Sequence, residues 1–170
     1  ALPDCSGTIT SGGHNLIGFA TGCNISAGTG DLLGTTNAPI DAKLGPLQNN
    51  GGPTSTHSLL TGSPAIDKGS PAAPGSGSGA CEATDQRGVP RSNPTCDIGA
   101  YELEDYTLTV TSVHGTVARN PNRATYHEGD VVQLTATPDA GWSFANWTGD
   151  ATGTTNPVTV IMNGNRAVTA

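Results

Sequence analysis

The feature that most constrains this chain is the shortness of its apolar runs, which glycine, proline and other turn-forming residues interrupt throughout. The 170 residues include 24 Gly, 12 Pro, 24 Thr and 12 Ser, whereas only 12% are charged and 4% aromatic. Glycine and proline disfavour long helices, while threonine is common in strands. No run approaches the roughly 18 apolar residues that a membrane-spanning helix needs. The sequence therefore predicts an all-β protein that does not insert into a membrane.

The charge balance limits the classes of partner. The formal net charge is −7, with only seven Lys and Arg residues and no basic run. Nucleic acids and anionic membrane surfaces are bound through clustered basic side chains, so neither is an expected partner. We interpret the mild excess of acidic groups as an aid to solubility.

The pattern changes near residues 103–106, which predicts two domains, residues 1–104 and 105–170. In the first domain, the apolar segments are too closely spaced for helices and are separated by Gly and Asn turns. Short strands are predicted at residues 8–10, 15–18, 24–25 and 65–67, with a strong turn signal at 49–53.

The second domain shows regular alternation of apolar and polar residues. Strands are predicted at residues 106–111, 132–138 and 157–162. Asn163 and Gly164 are typical of a two-residue hairpin turn, which would pair the third strand with residues 167–169. Aromatic residues between the second and third strands would anchor a small antiparallel β core.

Four cysteines indicate an oxidising compartment. Three pairings are possible, and the spacings of 18 and 15 residues favour Cys5 with Cys23 and Cys81 with Cys96. Four free thiols or a zinc site are the alternatives, but no Cys-x-x-Cys pair occurs and no His lies near two cysteines, which disfavours zinc. Disulfides predict export to the periplasm, the cell surface or the medium, and we expect an extracellular or cell-surface protein. The chain starts without a signal peptide and stops in a strand-like segment, so we expect a segment of a longer exported protein.

Residues 4–102 contain an ordered series of short motifs with Gly, Asn and Pro corners. These motifs are Asp4-Cys5-Ser6-Gly7-Thr8, Gly13-His14-Asn15-Leu16-Ile17-Gly18, Leu44-Gly45-Pro46-Leu47-Gln48-Asn49-Asn50-Gly51-Gly52-Pro53, Gly62-Ser63-Pro64-Ala65-Ile66-Asp67, Ala83-Thr84-Asp85-Gln86-Arg87-Gly88 and Cys96-Asp97-Ile98-Gly99-Ala100-Tyr101-Glu102. In content and order, the region resembles choice-of-anchor Q proteins of the bacterial surface. The resemblance implies the terminal coils and cap of a right-handed parallel β-helix, and it implies no catalytic residue.

Residues 106–170 carry a second set of motifs. They include Tyr106-Thr107-Leu108-Thr109-Val110, Tyr126-His127-Glu128-Gly129-Asp130, Gly141-Trp142, Trp147-Thr148-Gly149-Asp150 and Asn156-Pro157-Val158-Thr159. This region resembles the divergent internalin-type B-repeat. The resemblance implies a small β-grasp-like domain that serves as a stalk, spacer or adhesive module.

Acidic residues of the first domain are the candidates for glycan chemistry. They are Asp67, Asp85, Asp97 and Glu102, with His57 and Arg87 as further polar candidates. Glycoside cleavage needs two carboxyl groups placed across a cleft. Residues 85–88 instead lie in a turn-rich segment, where their polar groups suit the pairing of exposed backbone at the end of a solenoid. We therefore predict no catalytic and no cofactor-binding residue.

Two tryptophans are the candidates for contact with a ligand. Trp142 and Trp147 could stack on a sugar or could form the core, and their spacing of five residues gives them opposite strand parity. We therefore expect one of them to be buried and the other to be partly exposed. No metal site is predicted, although a structural Ca²⁺ in a loop is an alternative. The scattered candidates for metal ligation are Asp31, Asp41, Asp130, His14, His57, His114 and His127.

The sequence thus predicts a non-enzymatic, extracellular, structural or adhesive protein of the bacterial surface. Its partners would be neighbouring domains of a longer chain or further copies of itself, joined head to tail or by strand addition at exposed β edges. Head-to-tail joining of this kind gives filaments. A carbohydrate- or receptor-binding adhesin module is the alternative function, and a polysaccharide-active enzyme is a third.

Overall fold

A computed structural model describes residues 3–91 and 95–170. The described residues form strands and turns and contain no helix, which confirms the all-β prediction. Nothing in this part of the chain is a helix long and apolar enough to cross a membrane. The chain divides into two compact units, Ala1–Leu103 and Glu104–Ala170.

Among its described residues, the first unit contains six short strands. They are β1 (Gly7–Thr10), β2 (Leu16–Ile17), β3 (Cys23–Ser26), β4 (Leu32–Leu33), β5 (Leu44–Gln48) and β6 (Thr56–Leu59). β5 and β6 pair in antiparallel fashion, and the Gly- and Asn-rich turn predicted at residues 49–53 joins them. A small apolar core lies nearby, formed by Leu59, Ala65, Tyr101 and Leu103.

Two parallel strand pairs organise the start of this unit. β1 pairs with β3, where Gly7 faces Cys23, and β2 pairs with β4, where Leu16 faces Leu32. Both pairs therefore join residues 16 positions apart. Parallel partners require the chain to return to its starting side between them, so residues 7–17 and 23–33 run side by side in the same direction.

The strand predicted at residues 65–67 is wrong, because these residues form a turn. Backbone bonds run from Ser63 N–H to the Leu60 carbonyl and from Ile66 N–H to the Ser63 carbonyl. Asp67 then adopts a φ of 54°, in the left-handed region that ends extended structure. Its backbone N–H donates to the Asp97 carboxylate at 2.8 Å, a tertiary contact that local sequence does not reveal.

The second unit contains eight strands. They are β7 (Asp105–Tyr106), β8 (Leu108–Thr111), β9 (Gly115–Asn120), β10 (Tyr126–His127), β11 (Val131–Pro138), β12 (Thr148–Gly149), β13 (Val158–Ile161) and β14 (Arg166–Thr169). Two three-stranded sheets have the orders β13-β11-β9 and β12-β14-β8, and β7 pairs with β10. The core side chains buried most completely are Trp147, Tyr126, Leu134, Met162, Val132 and Val168.

The hairpin predicted at Asn163 and Gly164 is wrong. β13 pairs with β11, whereas β14 pairs with β8 and β12, so the chain crosses from one sheet to the other at this turn. The β8–β14 pair is also parallel, so the unit is not wholly antiparallel as predicted. Because of this crossover, Val160 and Val168 are buried in the same core. A turn motif reports only local conformation and does not predict this burial.

Candidate functional site

The carboxylates near the end of the first unit bind the chain's own backbone. Asp85 is 5% exposed and accepts hydrogen bonds from the backbone N–H of Arg87, Val89 and Glu102, at 2.8 to 3.0 Å. The Arg87 side chain also pairs with it at 2.8 Å. Burial pushes the pKa of Asp85 upward, but these bonds outweigh burial and hold the pKa below its usual value.

Asp97 and Glu102 form a second, connected pair of buried carboxylates. The Asp97 side chain accepts the N–H of Leu103 at 2.7 Å, and Glu102 accepts the N–H of Asp97 at 2.9 Å. Arg91 forms an ion pair with Glu102. Burial raises the pKa of Glu102, and the nearby charge of Asp97 raises it further. The two carboxylates thus fasten the segment between residues 97 and 103.

The other residues considered for glycan chemistry also have local roles. His57 lies on β6, where its Nδ1 is 2.6 Å from the Gly45 carbonyl. Arg87 extends over the ring of Tyr101, 3.6 Å from its centroid, and donates to the Glu102 carbonyl at 2.6 Å. These contacts are with the chain's own backbone and side chains, so each of the two residues has a structural role.

Asp31 organises a corner of the first unit. Its carboxylate accepts hydrogen bonds from the Ser11 hydroxyl at 2.5 Å and from the backbone N–H of Gly28 and Asn15 at 2.7 and 2.9 Å. The Ser11 bond is the main cause of a pKa held well below the usual range, and burial opposes it. Because Ser11 and Asp31 are 20 positions apart, the carboxylate joins two passes of the chain.

The other acidic candidates for a metal site are also engaged. Asp41 accepts the N–H of Lys43 at 2.9 Å, and Asp130 pairs with Arg123 at 3.1 Å. Across residues 3–91 and 95–170, no group of three His, Cys, Asp or Glu side chains is placed to hold a metal ion. His14 and His127 contact Lys68 O and Asp105 respectively.

The four cysteines form two pairs. Cys5 pairs with Cys23, with Cα atoms 5.6 Å apart, and Cys81 pairs with Cys96 at 6.6 Å. No cysteine is free, so none of the thiols is available to bind zinc. Cys96 is fully buried and precedes Asp97, so the second disulfide adjoins the carboxylate network.

The two tryptophans lie in opposite environments. Trp147 is 1% exposed, and its indole N–H donates to the Thr155 carbonyl at 2.9 Å. Trp142 is 57% exposed and stacks on His114, with ring centroids 3.5 Å apart and planes 11° apart. Any ligand-facing role for these tryptophans therefore rests on Trp142, which lines an open groove of about 360 Å³.

Sequence reasoning did not anticipate the partner of Trp142 or the bonds of Asp31. His114 lies between β8 and β9, and Trp142 follows β11, so their stacking depends on the fold. The local signal for Asp31 is weak, because its carboxylate accepts the N–H of Gly28, three residues earlier, whereas an Asx turn bonds an N–H that follows the Asp.

The comparison with protein families matched one part of the chain. Residues 106–170 match the family model described as the divergent InlB B-repeat domain. Searches of curated proteins and of solved structures returned no match. The resemblance of residues 4–102 to choice-of-anchor Q proteins has no support from these comparisons and stays a prediction. The B-repeat match and the two disulfides indicate a bacterial protein of the cell surface or the extracellular space.

Proposed function

We propose that this chain is a non-enzymatic structural or adhesive segment of a bacterial surface protein, and that copies of it assemble into filaments through exposed strand edges. The surface role is carried by the match of residues 106–170 to the B-repeat family. The assembly is supported by the unpaired edges of the sheets in the second unit.

The first unit is, in this proposal, the terminal coils and cap of a right-handed parallel β-helix. Its support is the equal spacing of 16 residues in the β1–β3 and β2–β4 pairs. Further backbone bonds repeat this side-by-side relation, from Leu32 N–H to the Asn15 carbonyl and from Gly34 N–H to the Ile17 carbonyl. A constant spacing between parallel strands is expected when successive coils stack.

The second unit would act as the spacer or joint. We take its arrangement as β-grasp-like on the strength of the family resemblance alone. Strand β9 is the longest edge strand in this unit and, among the described residues, pairs only with β11.

The free edge of β9 can be located residue by residue. Asp139 N–H donates to the His114 carbonyl at 3.1 Å, in register with the β9–β11 ladder. Since antiparallel ladders alternate between hydrogen-bonded and non-hydrogen-bonded pairs, the N–H groups of Val117 and Arg119 point away from β11. An extended segment of another copy could pair with these groups, and a head-to-tail joint of this kind propagates into an open filament.

Sedimentation velocity across a range of protein concentrations tests this assembly. We expect the unmodified chain to form species that grow with concentration, and the edge variant Ala118→Lys to remain monomeric. Ala118 is exposed on β9, and lysine on an edge strand opposes strand addition. Ala118→Ser is the matched control and should assemble normally.

Two outcomes would contradict the assembly proposal. The unmodified chain could remain monomeric at every concentration, or Ala118→Lys could assemble as readily as Ala118→Ser. Circular dichroism of both variants should match that of the unmodified chain, because residue 118 is exposed.

A further inference from the structure

The turn after β11 presents a fixed aromatic surface. Trp142 N–H donates to the Asp139 carbonyl at 3.0 Å, and Gly141 supplies the left-handed φ of 88° that closes this turn. His114 covers one face of the indole at a centroid distance of 3.5 Å. Trp142 nevertheless keeps 57% of its surface exposed, so a large apolar area is held in place and faces solvent.

The groove beside Trp142 is polar but carries no charged side chain of Asp, Glu, Lys or Arg among its lining residues. Hydroxyl and amide groups line it, including those of Thr116, Thr137, Ser143 and Asn146. These groups can both donate and accept hydrogen bonds. The groove volume, about 360 Å³, is near the lower end of the range for small-molecule sites, roughly 300–1,000 Å³.

We propose that this groove binds a neutral saccharide, with one sugar ring stacked on Trp142 and its hydroxyls bonded to the Ser, Thr and Asn side chains. A pyranose ring has an apolar C–H face and a polar rim, which match an exposed indole surrounded by hydroxyl groups. This inference concerns a binding site in the second unit and does not depend on filament assembly.

The uncharged lining selects among classes of ligand. A charged group placed in the groove would lose water without gaining an Asp, Glu, Lys or Arg side chain as an ionic partner, which is unfavourable. The net charge of −7 adds a general repulsion against polyanions, including nucleic acids and uronic-acid polymers. A neutral glycan is subject neither to the desolvation of a charge nor to the repulsion by the net negative charge.

The immobilised indole favours binding in a second way. Its stacking on His114 and its place in a hydrogen-bonded turn restrict the side chain before any ligand arrives. A restricted binding group loses less conformational freedom on association. Even so, one stacked ring and a few hydrogen bonds support only weak binding for each saccharide, so the assay must report on individual residues.

Nuclear magnetic resonance titration of the ¹⁵N-labelled chain provides such an assay, because the two indole N–H signals report different sites. The probes are cellohexaose and mannohexaose as neutral saccharides, and hexagalacturonate as the anionic comparison. We expect a neutral hexasaccharide to shift the Trp142 signal saturably and to leave the buried Trp147 signal unchanged. Hexagalacturonate should bind at least about tenfold more weakly.

Substitutions assign the binding to the groove. Trp142→Ala should weaken binding about tenfold or more, a change equivalent to about 1.4 kcal/mol, whereas Trp142→Phe should keep part of it. The matched control is Ile161→Ala, because Ile161 is 58% exposed but does not line the groove. It should bind as the unmodified chain does. An unchanged Trp147 signal shows that each variant is folded.

The proposal is overturned if neither neutral hexasaccharide shifts the Trp142 signal, or if hexagalacturonate binds as tightly as they do. It is also overturned if folded Trp142→Ala binds normally, observed through backbone signals of the groove residues. If Trp142→Ala does not fold, the other two variants still test the site. Full loss of binding in Ile161→Ala would contradict it. Full retention of binding in Trp142→Phe without any shift of the groove signals would contradict it as well.

Discussion

The two tryptophans of the second unit have different roles although their side chains are chemically identical. Trp147 packs beside Phe144 and the core valines, with its indole N–H bonded, whereas Trp142 stacks on one histidine at the surface. Their spacing of five residues predicted opposite environments, and the structure agrees on the outcome, but residues 142–146 form no strand, so strand parity is not the reason. The sequence alone did not predict which tryptophan is exposed to solvent, because this depends on the tertiary position of His114.

Replacing the buried tryptophan should be costly. Trp147→Ala should lower the free energy of unfolding of the second unit by roughly 3–5 kcal/mol, because it leaves a cavity in the core. Trp142→Ala should lower it by about 1 kcal/mol or less, since the side chain is mostly exposed. Urea denaturation followed by fluorescence of the remaining tryptophan measures both. Equal losses for the two variants would contradict the burial described for Trp147.

Asp31 should make the first unit sensitive to acid. Its pKa in the folded protein lies well below the unfolded value of about 3.9. The carboxylate therefore contributes stability above that unfolded value, and the contribution is lost as the pH falls through the folded pKa. Asp85, also in the first unit, has a lowered pKa and adds a loss of the same sign, whereas the raised pKa of Glu102 acts in the opposite sense. Asp150 has a lowered pKa as well, but it belongs to the second unit.

Asp31→Asn tests this contribution. The variant should be less stable at neutral pH by about 1–2 kcal/mol, since charge-assisted hydrogen bonds to Ser11 and two backbone N–H groups are weakened. It should also lose less stability than the unmodified chain between about pH 5 and pH 3. Thermal unfolding across that range measures both effects, with Asp41→Asn as the matched control. An unchanged slope with pH in Asp31→Asn would contradict the assigned role.

At the scale of elements, the sequence was most informative where alternation is strong. β11 was predicted at residues 132–138 and spans Val131–Pro138, because Val132, Leu134 and Ala136 all enter the core. Sequence patterns gave wrong predictions where the burial of apolar side chains in the core competes with the local turn preference of the residues. Asn163 and Gly164 suit a hairpin, but burial of Val160 and Val168 is better served by a crossover between the sheets.

Edge strands and short strands were harder to predict. β9 was not predicted as a strand, since Ala118, Arg119 and Asn120 give its second half little apolar alternation. Strand β4 has only two residues, and its existence depends on pairing with β2. Elements of this kind are stabilised by their neighbours rather than by their own residues, so the local sequence carries little information about them.

At the scale of the whole molecule, composition and cysteine spacing were enough to indicate an exported all-β protein with two local disulfides. The pairs Cys5–Cys23 and Cys81–Cys96 are those that the short spacings favoured. The sequence predicted only part of the candidate ligand site. Trp142 could be named, but the groove needs the turns around His114 and Trp142 to meet, and that meeting is a property of the fold.

Electron microscopy of the native, full-length protein without added ligand tests the central claim most directly. If the chain is a structural segment whose copies join at strand edges, negatively stained material should contain regular fibres with a repeat near the length of one subunit. Dispersed single particles at all concentrations, with no lateral or end-to-end association, would contradict the assembly and leave a surface protein that acts alone.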